Sequence, residues 1–76
     1  APIKSDIRSA QPGDIFSTDG PGHTWMVVEV TEDGYYAAEE YGGAEINFYS
    51  WEDALNGYDA KLYDMQGFYS DPSNKR

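Results

Sequence analysis

The chain has no cysteine. No disulfide can therefore brace it, and it offers neither a thiolate nucleophile nor a thiolate metal ligand of its own. It has one histidine, so no recognisable zinc spacing exists and no metal is expected. Basic residues are scarce, 5 against 14 acidic ones, and the resulting formal charge of −9 argues against nucleic acid and anionic membranes, which both reward a basic face. No apolar run approaches the roughly 18 residues of a membrane span, so no membrane insertion is expected. Ala1-Pro2-Ile3-Lys4 is not a signal peptide, and an exported form would have lost its signal earlier.

What is present is compact and aromatic. Seventy-six residues make one small domain, which buries only roughly 60% of the surface its unfolded chain exposes. Seven Tyr, two Trp and three Phe must supply much of the apolar area, each buried ring covering on the order of 150–250 Å². Residues 1–10 read as a loose lead-in, 11–69 as a single β-domain and 70–76 as a polar tail.

Gln11-Pro12-Gly13-Asp14 is a turn signal that launches a short strand at Ile15-Phe16-Ser17. Asp19-Gly20-Pro21-Gly22 is a breaker-rich loop, and His23 follows it directly. Thr24 to Thr31 alternates, with His23, Trp25, Val27 and Glu29 on one face and Thr24, Met26, Val28 and Val30 on the other. Both faces are substantially apolar, which predicts a central strand covered on both sides. Glu32-Asp33-Gly34 reads as a hairpin turn with Gly34 left-handed, and Tyr35 to Glu40 returns antiparallel. Glu45 to Tyr49 is a third strand. Ser50, with Asp53 three residues on, caps a short helix from Trp51 to Asn56, docked by Trp51 and Leu55 and closed at Gly57. Lys61-Leu62-Tyr63 and Gln66-Gly67-Phe68-Tyr69 read as two final strands. The expected fold is mainly β: a small antiparallel curled sheet or SH3-like partial barrel with one short helix.

The sharpest chemical feature is His23. With the turn centred on Glu32 and Asp33, residues whose numbers sum to about 65 face each other, which sets His23 near Glu40 to Gly42. Either Glu39 or Glu40 then stands within side-chain reach. A carboxylate beside an imidazole orients the ring as a general base requires, although a lone histidine is more often structural. Glu39 and Glu40 point to opposite faces and form no glycosidase pair. No phosphate loop or regular Ca²⁺ loop is present, and no cofactor is implied.

Several pieces recur in a known order. Gln11-Pro12-Gly13-Asp14-Ile15-Phe16, Gly22-His23 leading a valine-rich strand, the Asp33-Gly34 turn, a strand ending Glu39-Glu40-Tyr41-Gly42-Gly43, and a closing Gly67-Phe68-Tyr69 together resemble the β-half of the CHAP and NlpC/P60 peptidoglycan hydrolases. The resemblance runs from about Gln11 to Tyr69 and implies the β-half of a papain-like α+β fold. It implies an amidase or endopeptidase acting on the stem peptides of bacterial cell wall, extracellular or wall-associated, of bacterial or phage origin. By the same resemblance His23 is the base that deprotonates a cysteine. The family's pattern of Glu, any residue, Asn aligns with Glu40, Tyr41 and Gly42, making Glu40 the orienting residue and Glu39 its fallback if the hairpin slips by one. Trp25, Tyr41 and Gly42 would line a substrate or partner groove. The chain departs from the pattern in lacking the cysteine and in carrying Gly42 where the family has Asn. A cysteine-bearing helical segment or chain is then the expected partner, docking on an apolar face beside His23 through Trp25 and Val27. The alternative is a non-catalytic small β-barrel binding module for cell wall, peptide or protein, with Tyr35, Tyr36, Tyr41 and Tyr49 as its recognition surface.

Overall fold

The computed structural model describes residues 2–18, 22–40, 42–56 and 59–74, the side chains of 55, 56 and 74 excepted. Among the described residues, six antiparallel strands form one curled, unclosed sheet. They are β1 (Ile3–Lys4), β2 (Ile15–Thr18), β3 (Thr24–Val30), β4 (Gly34–Glu40), β5 (Ala44–Ser50) and β6 (Ala60–Tyr63), in the order β1-β6-β2-β3-β4-β5. Two short helices accompany the sheet, α1 (Trp51–Asn56) and α2 (Gln66–Ser70), with 3₁₀ turns at Ile7–Ser9 and Pro72–Asn74.

The inner face of the sheet holds the core. Phe16, Trp25, Val27, Tyr35, Ala37 and Leu62 are buried there, closed over by Ala10 from the amino-terminal segment and by Trp51 and Ala54 of α1. The aromatic rings stack in series, Phe16 on Trp25 at 5.6 Å and on Tyr35 at 5.0 Å between centroids. Such ring pairs add to the area term that a thin core needs. Helix α1 is capped as its sequence predicts, the Asp53 N–H donating to Ser50 Oγ at 3.1 Å. Trp51 docks it to the hairpin turn, the indole N–H donating to the Glu32 carbonyl at 3.1 Å. The contact expected of Leu55 and the stop at Gly57 lie outside the described residues.

Three expectations need correction. The amino-terminal residues are tied down: Ile3 and Lys4 pair with Tyr63 and Leu62 of β6. Gln66–Ser70 is helical, not a strand. Its aromatic residues favour β structure, but the Asp64 carboxylate accepts the Gln66 N–H at 3.0 Å and starts a turn instead. Gly34 is not left-handed, since positive φ occurs among the described residues at Gly13 and Gly42. Its requirement is space: a Cβ there would strike the Tyr49 carbonyl and lie 2.8 Å from Ser50 Cα on β5.

The turn at Gln11–Asp14 does more than reverse the chain. The Asp14 side chain is fully buried and accepts from Lys4 Nζ at 2.7 Å, the Gln11 N–H at 2.9 Å, the Met65 N–H at 3.0 Å and Gln66 Nε2 at 2.9 Å. One carboxylate thus joins β1, the turn and the start of α2. Burial works against its ionisation, but these hydrogen bonds outweigh that and hold the carboxyl below its ordinary 3.8.

Two outcomes are expected. Asp14→Ala should lower the unfolding free energy by on the order of 3 kcal/mol in urea titrations, because four donors lose their acceptor. The folded-state pKa of Asp14 is the depressed one, so its contribution is complete above the unfolded-state pKa and is lost as pH falls through the folded value. The acid limb of stability below about pH 4 should accordingly be shallower in Asp14→Asn. Separately, Gly34→Ala should cost on the order of 2–3 kcal/mol through the collision with β5.

Candidate functional site

His23 sits just before β3 and is fixed by the end of β2. Its N–H donates to Thr18 Oγ1 at 2.7 Å, and its carbonyl accepts the Thr18 N–H at 3.0 Å. The approach is close enough to require glycine one residue earlier, because a Cβ on Gly22 would collide with the Thr18 hydroxyl. The chain therefore delivers the imidazole to one place at the sheet's end. There the ring stacks on Trp25, with centroids 5.4 Å apart.

His23 Nε2 lies 3.0 Å from Glu39 Oε1. The histidine side chain is 31% exposed and that of Glu39 is 0% exposed, so the pair runs from the surface inward. The other oxygen of Glu39, Oε2, accepts from Tyr49 Oη at 2.6 Å and from Asn47 Nδ2 at 2.9 Å. Asn47 also reaches Glu45 Oε2 at 3.2 Å. A buried carboxylate is tolerated only when its lone pairs are satisfied, and three donors do that here. Since the carboxylate can only accept, Nε2 carries a proton, and in the neutral ring the lone pair is on Nδ1. The arrangement orients the His23 ring from behind through a buried acid.

The orienting acid is Glu39 and not Glu40. Between Val27 and Glu29 the β3–β4 ladder contains a bulge: Glu29 faces Tyr36, whereas Val27 faces Ala37 and Met26 faces Ala38. The extra residue shifts the pairing by one beyond the bulge, which brings Trp25 and His23 to the face that Glu39 shares with Tyr35 and Ala37, while Glu40 is on the other face, where it is exposed. The Trp25 indole is buried and donates to Tyr35 Oη at 3.0 Å, and the residue borders a shallow hollow with Ile15, Met26 and Glu40. Val27 is fully buried, so neither residue forms an exposed docking face beside His23. Gly42 is exposed, and Tyr41 lies outside the described residues.

The proposed tyrosine surface also comes apart. Tyr35 is fully buried, Tyr49 reaches inward to Glu39, and Tyr36 is on the opposite face against Phe48. Asn47 and Tyr49 are the site residues that the sequence reading missed. Their signal was the alternation of β5, where Glu45, Asn47 and Tyr49 are polar between Ile46 and Phe48. Asn47 supplies the Glu39 carboxylate with a side-chain amide donor. Among the described residues no group of three or more metal-ligating side chains converges.

No protein-family profile, curated protein or solved structure matches the chain.

Heteronuclear NMR tests the site directly. In the neutral form the His23 ring should show the Nε2–H tautomer, and Glu39→Gln should erode that preference. A predominant Nδ1–H tautomer in the unsubstituted protein would contradict the hydrogen bond.

Proposed function

We propose that this chain is the His/Glu-bearing β-subdomain of a CHAP- or NlpC/P60-like cell-wall amidase or endopeptidase, acting outside the cell or at the wall. The nucleophilic cysteine comes from another segment or chain. The observation that carries this reading is the His23–Glu39 pair, with Glu39 in turn held by Asn47 and Tyr49. An imidazole oriented by a buried acid is what a thiol needs to become a nucleophile.

In this reading Nδ1 of His23 takes the cysteine proton and Glu39 stabilises the imidazolium. The thiolate adds to a stem-peptide carbonyl, and the imidazolium returns its proton to the departing amine, leaving an acyl-enzyme that water hydrolyses. Glu39 acts through the histidine and is a positioning residue.

The test is reconstitution. Mixed with a cysteine-bearing helical polypeptide from the same source, the chain should release amine groups from purified peptidoglycan. His23→Ala should reduce the rate by at least about 100-fold, the usual scale for losing a general base. Glu39→Gln should lower the rate and alter its pH profile without changing wall binding. Turnover that survives His23→Ala would overturn the proposal. Wall binding without turnover would favour the binding-module reading, for which the uncovered apolar residues on the sheet's outer face speak.

A further inference from the structure

The outer face of the sheet carries its own apolar row. Following the register, Ile3 faces Tyr63, Tyr63 faces Ile15, Ile15 faces Met26, Met26 faces Ala38 and Ala38 faces Ile46. The row crosses all six strands. Beside it Tyr36 and Phe48 are in ring contact at 5.1 Å. Ile46 is 61% exposed and Phe48 46% exposed, while the core lies entirely on the other side. A contiguous apolar patch of this kind on a domain this small marks an interaction surface.

Shape and charge say what fits it. Ala38 and Ala44 are short, and between them and Ile15, Thr24 and Met26 the face dips into a shallow hollow of about 340 Å³, which Trp25 and Glu39 also border. Glu40 borders that hollow and is exposed. Glu29, facing Tyr36 in the ladder, is a second exposed acid on the same side, while Lys61 lies three strands from Glu40. A sheet face buries its apolar surface against helices or a second sheet, and a single amphipathic helix supplies an apolar stripe where a lone hairpin is only marginally stable. Glu29 and Glu40 select basic flanks on that helix and disfavour a second copy of this acidic chain.

We propose that the outer face docks an amphipathic helix of a partner, its apolar stripe along the Ile3–Ile46 row. A lysine or arginine of that helix lays its aliphatic stem in the Ala38–Ala44 hollow and its cation against Glu40. Long basic side chains bury their stems and keep their charged ends near water in this way. The inference does not need the hydrolase reading: Trp25 and Glu39 also border the hollow, but the docking contacts are made with Glu40 and the Ile3–Ile46 row.

An 18-residue helical peptide with a leucine stripe flanked by lysines, and a counterpart with glutamates in place of the lysines, provide the probe. By NMR and calorimetry the lysine-flanked peptide should bind and shift the Met26, Ala38, Ile46 and Phe48 signals, leaving the His23 ring signals in place. Glu40→Gln should weaken binding at least 5-fold and Ile46→Ser at least 10-fold; both positions are exposed, so both variants should fold. Equal binding of the two peptides would overturn the proposal, as would no binding of either at millimolar concentration. Dimerisation of the free chain through the same residues would replace the partner helix with a second copy and overturn it too.

Discussion

One extra residue in β3 decides which acid the histidine of this domain meets. The bulge between Val27 and Glu29 admits it into the ladder with β4, and it brings Val27, Trp25 and the preceding His23 to the face that Tyr35, Ala37 and Glu39 hold by the unbroken alternation of β4. Without it the pairing would set Trp25 opposite Glu40 and turn the His23 side of β3 away from Glu39. With it, His23 shares the inner side with Glu39, which Asn47 and Tyr49 also satisfy. A backbone irregularity of one residue thereby selects which of two adjacent glutamates the histidine reaches.

Two buried carboxylates then divide the work. Asp14 holds the chain ends together, gathering β1, the Gln11–Asp14 turn and the start of α2 around four hydrogen bonds. Glu39 holds the histidine, with the remaining donors supplied by β5. For Asp14, burial opposes ionisation and the donors outweigh it; the oxygens of Glu39 are likewise satisfied by three donors. A domain with so thin a core uses these polar clusters as rigid points, and the one beside the surface leaves an imidazole 31% exposed.

The sheet has two apolar faces and covers one. The inner face receives Ala10 and α1 and becomes the core, with its rings stacked from Phe16 through Trp25 and Tyr35. The outer face keeps Ile3, Met26 and Ile46 of its row exposed, on the side of Glu29 and Glu40. The His23–Glu39 pair and the outer apolar row therefore occupy opposite sides of the same strands, separated by the alternation of a β-strand.

Much was legible in the residues themselves. Turn signals at Pro12-Gly13 and Asp33-Gly34, alternation in Thr24–Val30 and the cap at Ser50 place most of the strands and α1, because each depends on residues a few positions apart. The isolation of His23 after Gly22, and the presence of an acid near it, follow from the same local pattern. The choice of Glu39 over Glu40 as the partner of His23, the recruitment of Asn47 and Tyr49, the burial of Trp25 and the anchoring of α2 on Asp14 were decided only in three dimensions. Those outcomes depend on a bulge and on hydrogen bonds between residues far apart in the chain, and local propensity carries no information about either.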